Sequence, residues 1–239
     1  MIMRKKIIVF IILLMNSLPA FVQAQNTVSA PTDKGLETKE VKTEEVPEAV
    51  YNGLSVGIDI FGIGNKLFGG DYISSEIFLN TNFKNRYFPV IEIGYGHINT
   101  TDDTYNIHYK SAAPYARIGF DYNTMAKNMK VGYLTAGLRY GFSSFNYDVS
   151  SPDLKDPIWN GTIPFSHKGI RSNAHWLEIV AAIHVKIAGN FHMGWSVRYK
   201  SRLKAQENRH ATPEYIPGFG KNKSSNFGFT YNLIYKLPF

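Results

Sequence analysis

The 239-residue chain carries 26 basic and 19 acidic side chains, a formal charge of +7, 44% hydrophobic residues and no cysteine. That length builds a core without disulfide or metal staples, and the absent cysteine excludes thiolate zinc sites, iron–sulfur clusters, a cysteine nucleophile and a lipidated cysteine anchor. A single long apolar run in the sequence also argues against a bundle of transmembrane helices.

That run opens the chain. Arg4, Lys5 and Lys6 precede Ile7–Met15 (IIVFIILLM). As a helix this stretch reaches ~13 Å, well short of the ~30 Å hydrocarbon core of a bilayer. Asn16–Pro19 breaks it, and Val22-Gln23-Ala24 follows, so residues 1–24 read as an export signal cleaved after Ala24. Residues 25–50 hold three lysines against six Asp or Glu and no aromatic side chain. Such a segment buries too little apolar surface to offset its ordering entropy, and a solvated acidic tether is predicted.

From Gly53 the apolar residues recur with period two, the signature of strands. Leu54, Val56, Ile58 and Ile60 define the first, and Ile73, Ile77 and Leu79 the second. Tyr87, Pro89, Ile91, Ile93 and Tyr95 give the third, and Ala116, Ile118, Phe120 and Tyr122 the fourth. Leu134 to Phe142 and Leu177 to Ile187 follow as the fifth and sixth. Phe191 to Tyr199 and Phe227 to Phe239 complete eight strands. The connections alternate between short (Thr81–Arg86, Asn123–Lys130, Ala188–Asn190) and long (Gly62–Asp71, Ile98–Ala112, Ser143–Asn173, Ser201–Ser225). An even strand count with long loops at one end is the pattern of an outer-membrane barrel.

The two faces of these strands differ in kind. One carries no ionised side chain. The other carries Asp59, Glu76, Glu92, Arg117, Asp121, Arg139, Glu178, Lys186, Arg198, Lys200 and Lys236. A charge facing lipid costs ~2–4 kcal/mol at the bilayer midplane, which accounts for its exclusion from one face. Glycines 57, 94, 96, 119, 137, 141, 194 and 228 share the charged face, as a narrow interior filled by long side chains requires. Tyr87, Tyr95, Tyr122, Tyr140, Trp195, Tyr199 and Tyr235 stand on the apolar face, where an aromatic girdle would sit. The expected fold is therefore all-β: an eight-stranded antiparallel transmembrane barrel of outer-membrane type over residues 51–239. The inverted arrangement, a soluble periplasmic barrel that binds a ligand inside an apolar lumen, is the alternative that alternation alone leaves open.

Tyr231, Leu233, Tyr235, Leu237 and the final Phe239 resemble the assembly signal that the barrel-assembly machinery reads in bacterial outer-membrane proteins, although Pro238 departs from the usual polar penultimate residue. In strand count and topology the chain resembles the eight-stranded membrane domain of outer-membrane protein A. The stretches GIDIFGIGNKLFGGDYISSE (57–76), 132–159 with its YGFSSFNYDVSSPDLKDPIW, and IPGFGKNKSSNFGFTYNLIYKLPF (216–239) look like a family of small Bacteroidota barrel proteins described only as a domain of unknown function. The resemblance implies a fold and an outer-membrane location, and no activity.

Candidate chemistry divides in three. Asp59, Glu76, Glu92 and Glu178 against Arg117, Arg139 and Arg198 are expected to form an interior salt-bridge network that plugs a barrel too narrow for a solute. In the fourth long connection Arg198, Lys200, Arg202 and Lys204 alternate and would meet lipopolysaccharide phosphates at the outer rim. Tyr147 and Trp159 in the third long connection are candidates for binding an extracellular glycan or protein. Nucleic acid is an unsuitable partner for an exported barrel, and no cofactor or metal is expected. The residues favour a non-enzymatic outer-membrane protein whose long connections, 143–173 and 201–225, serve surface recognition or envelope integrity. The competing reading is a lipid-A-modifying enzyme built on Glu178, His184, His192 and Ser196, although Ser196 lies four residues from His192 on one strand, ~13 Å away.

Overall fold

The computed structural model describes residues 49–62, 72–102, 106–125, 132–155, 161–208 and 211–238. The expected export signal, nearly all of the tether, Trp159 and Phe239 lie outside them. Ten strands follow one another: β1 (Tyr51–Asp59), β2 (Tyr72–Phe83), β3 (Tyr87–Asp102), β4 (Ile107–Asn123), β5 (Gly132–Lys155), β6 (Thr162–Ala188), β7 (Phe191–Ala205), β8 (Tyr215–Ile216), β9 (Gly220–Lys221) and β10 (Ser225–Lys236). β1 to β7 and β10 close into an eight-stranded barrel in the order β1-β10-β7-β6-β5-β4-β3-β2, every pair antiparallel, while β8 and β9 form a separate small hairpin. Closure leaves the barrel without the free edges that invite aggregation.

The faces lie as the bilayer argument requires. Ile77, Ile93, Ile118, Leu138, Ile179 and Phe229 point outward and are 57–63% exposed, whereas Glu76, Glu92, Arg117, Arg139, Glu178 and Arg198 are buried inside. A soluble barrel needs the opposite distribution, so that alternative is overturned by the orientation of the side chains. Tyr87 stacks on Phe120 at 5.8 Å and Phe191 meets Tyr235 at 4.9 Å on the outer wall, all near the end that carries the short turns. Close quarters inside show at Gly137, where a Cβ would lie 1.8 Å from Oδ1 of Asp121. Glycine is the side chain that leaves room for that carboxylate.

The third long connection is not a loop. β5 spans 24 residues and β6 spans 27, and they stay paired from Gly132↔Val185 up to Lys155↔Thr162. Crossing a bilayer takes about 10 residues per tilted strand. The surplus beyond Phe142, at ~3.3 Å per residue and a ~40° tilt, carries this hairpin roughly 30 Å past the apolar belt. The pairing breaks register between Tyr147/Val149 and Ser151/Leu154, bulges that twist the arm near Pro152. The second long connection is shortened in the same way, with β3 and β4 paired to Asp102↔Ile107. β7 likewise runs on to Ala205 through residues read as part of the fourth connection.

Candidate functional site

Inward side chains of six strands, β2 to β7, meet at mid-barrel. Glu92 on β3 is the hub: its carboxylate accepts from Arg117 Nη1 at 3.0 Å, Arg139 Nε at 3.0 Å and Arg198 Nη1 at 2.6 Å. Glu178 on β6 accepts from Arg198 Nη1 at 3.3 Å and the indole N–H of Trp176 at 2.6 Å, and pairs by charge alone with Arg117, whose Nε lies 2.8 Å from Oε1 without a hydrogen-bonding angle. Glu76 on β2 binds Arg117, Arg198 Nη2 at 3.2 Å and the hydroxyl of Tyr115 at 3.0 Å. Asp121 takes a two-pronged contact from Arg139 at 2.7 and 2.8 Å. Four carboxylates thus face three guanidiniums, and Lys200 stands opposite Glu178 across β6–β7 as a further cation. Buried charge is tolerable only when paired and hydrogen-bonded in this way.

Asp59, expected in the same network, stands apart. Its Oδ1 accepts from the backbone N–H of Phe61 at 2.9 Å and of Tyr231 at 3.2 Å, and it forms no ion pair among the described residues. The carboxylate here stabilises the place where β1 leaves β10, the last backbone bond being Ile60 N to Tyr231 O at 2.9 Å.

Above the lattice, the β7–β10 connection turns inward as a cork. Ile216, Pro217 and Phe219 are fully buried, and Phe219 packs against Trp176 with ring centres 5.9 Å apart. Gly218 O accepts from Arg117 Nη2 at 3.0 Å and from Lys200 Nζ at 2.7 Å, which fastens the cork to the lattice. Gly218 has φ +81° and a Cβ there would lie 2.5 Å from the Tyr115 ring, so the cork's tip admits only glycine. Tyr109 donates its hydroxyl to Tyr215 O at 2.8 Å, Tyr147 to Ala211 O, Ser172 to Gln206 O at 2.7 Å, and Arg202 to Asn222 Oδ1.

These contacts take four residues away from the external binding roles expected for them. Tyr147 is buried in β5 as a cork tether, so it presents no ring to an external ligand. Arg198 and Lys200 point into the lumen, because they continue the inward parity of β7, and Arg202 turns in toward Asn222. Lys204 alone of the expected basic rim faces outward; it lies opposite His175, beyond a bulge between His175 and Trp176. Arg171 and Lys168 on β6 are exposed on the same upper part of the wall. The four side chains of the lipid-A reading are not assembled. Ser196 Oγ bonds Thr230 Oγ1 at 2.6 Å, His184 Nε2 faces Thr135 Oγ1 at 3.4 Å, His192 Nδ1 lies 3.3 Å from Asn190 O, and Glu178 is held in the lattice. Among the described residues no group of His, Asp and Glu is placed to hold a metal ion. The cork itself had one legible signal: Tyr215, Ile216 and Phe219 are apolar side chains inside a Pro- and Gly-rich connection.

A family model described as a domain of unknown function, DUF6048, matches residues 3–239. The chain belongs to the DUF6048 family. No curated protein matches its sequence. Among solved structures this DUF6048 chain is similar to Ail, the attachment invasion locus protein of Yersinia pestis, at 11% identity over 77% of this chain and 98% of Ail, with a TM-score of 0.41. It is similar also to Neisserial surface protein A (NspA), at 12% identity over 78% of this chain and 99% of NspA, with a TM-score of 0.39.

Proposed function

We propose that the protein is a closed, non-catalytic outer-membrane barrel that holds a stiff β-hairpin above the membrane for surface recognition or envelope integrity. One observation carries the reading: a lumen filled by ion pairs and corked from above, beneath a paired β5–β6 arm that continues roughly 30 Å past an apolar outer wall. An exported polypeptide with that wall finds its solvent in a bilayer, and with no helix among the described residues long and apolar enough to cross one, the strands do the crossing. The short turns and the β1 end then face the periplasm and the arm faces outward.

In this reading the partner at the wall is lipopolysaccharide, its phosphates met by Lys204, Arg171 and Lys168 rather than by Arg198, Lys200 and Arg202. Terminal Phe239 is the residue offered to the barrel-assembly machinery, and Trp159, between β5 and β6 in the sequence, is offered to an extracellular glycan or protein. The test is a deletion strain challenged with EDTA and detergent. Plasmid-borne protein should restore resistance, whereas a variant with residues 148–167 replaced by a tight turn should insert as a heat-modifiable barrel and fail to restore it. Full rescue by the shortened variant would remove the arm from the function.

A further inference from the structure

The lumen's other end is open, and its charge is not balanced among the described residues. A cavity of about 560 Å3 lies there, bounded by Lys186 on β6, His192 on β7, Lys236 on β10, and the amides Asn82, Asn85 and Asn190; among the described residues no carboxylate lines it. Register brings the three basic groups together. Lys186 pairs with His192 across β6–β7, and His192 pairs with Ile234, two residues before Lys236, across β7–β10. All three share the inward parity of Arg198 and Asn232. Among the described residues neither lysine has an ion-pair partner, whereas each arginine of the mid-barrel lattice has at least two.

Two ammonium groups and an imidazole facing one another without a counter-charge cost free energy that a bound anion would recover. The amides add neutral hydrogen-bonding groups around the same space. Asn82 is buried, and while its Nδ2 donates to Asn85 Oδ1 at 2.9 Å, its Oδ1 has no partner. An unfilled acceptor beside two ammonium groups and an imidazole suits a ligand that combines an anion with a hydroxyl. A tetrahedral phosphate can take bonds from several directions at once, which separate strands supply here.

We infer that this mouth is a binding site for a hydroxyl-bearing phosphate ester, with Lys186, Lys236 and His192 on the phosphate and Asn82 Oδ1 on the alcohol. That chemistry is present both in a soluble glycerol phosphate and in a phosphatidylglycerol headgroup.

The test is calorimetric titration of the refolded full chain with glycerol 3-phosphate, with glycerol as the neutral control. Saturable binding is expected for the phosphate alone, weakened at least tenfold in Lys186→Gln/Lys236→Gln. Heat-modifiable migration of that variant would show that its barrel is intact. Repeating the titration in phosphatidylcholine vesicles with and without phosphatidylglycerol separates the sources. Competition by the anionic lipid assigns the site to a headgroup, and equal affinity in both assigns it to a soluble ester. No saturable heat with wild-type protein, or the same affinity in the double variant, overturns the site.

Discussion

Replacing Glu92 by Gln changes one atom's identity and removes the charge that three guanidiniums share. The carboxylate accepts from Arg117 at 3.0 Å, Arg139 at 3.0 Å and Arg198 at 2.6 Å, all buried. The amide retains one acceptor oxygen and presents an NH2 to a donor-only neighbourhood, so at least one arginine contact becomes repulsive. Breaking a buried ion pair from one side costs about 3–5 kcal/mol, because the remaining charge stays buried without compensation. Arg139 keeps Asp121, and Arg117 and Arg198 keep Glu76 and Glu178, which places Glu92→Gln at the lower end of that range. Guanidinium unfolding in detergent micelles, followed by the shift between folded and unfolded gel bands, reads this directly. A loss near 3 kcal/mol at a slope of a few kcal/mol per molar lowers the midpoint by about 1 M. The double variant Glu92→Gln/Arg198→Gln should lose less than the sum of the single losses, with a coupling of about 1–3 kcal/mol. A single-variant cost below ~1 kcal/mol with no coupling would mean that water screens these charges, and the closed lumen would fall with it.

Three further outcomes follow from the same structure. Leu138→Arg, mid-belt on the outer wall and 63% exposed, should destabilise the inserted barrel by ~2–4 kcal/mol in vesicle unfolding, and an unchanged midpoint would deny that this wall meets lipid. Gly137→Ala places a methyl group 1.8 Å from Asp121 Oδ1 and should cost ~1–3 kcal/mol in the same assay, with no cost meaning the interior is looser than drawn. Tyr147→Phe removes the hydroxyl that holds Ala211 and should cost about 1 kcal/mol of local stability, seen as faster amide exchange across 211–219 while β3 and β4 exchange as before. Uniform exchange in the variant would show that the cork is not held by that tie.

The parts of this fold that were legible in the sequence are those where each face has a different solvent. Along Ile91–Tyr95 and Leu134–Phe142, lipid on one side and a crowded polar lumen on the other impose strict alternation, which a sequence displays openly. Beyond Phe142 both faces of the β5–β6 arm leave the bilayer, and Ser, Asn, Asp and Pro dilute the period until the strands look like a loop. The parity nevertheless persisted. Ser143, Phe145 and Tyr147 all continue the inward face of Arg139 and Gly141, and extending the register by six residues would have placed Tyr147 inside. Lys200 follows the same parity: its place two residues after Arg198, on the charged face, carried more information than the charge that suggested a basic rim. The acceptors at Ala211, Tyr215 and Gly218 are backbone carbonyls, which no residue type advertises, so the cork's attachment had no local signature. The separation of Asp59 from the lattice rests likewise on backbone donors, Phe61 and Tyr231.

The absence of cysteine makes one experiment especially direct, since every introduced thiol is the only one present. Single cysteines at Ile93, Leu138, Ile179 and Phe229, all outward and at least 60% exposed apart from Ile179 at 59%, report the medium around the wall. In isolated outer membranes these positions should resist a charged maleimide and react with a lipid-soluble one, then label freely once the protein is boiled. Rapid labelling of all four by the charged reagent in the native protein would put the apolar wall in water and contradict the account.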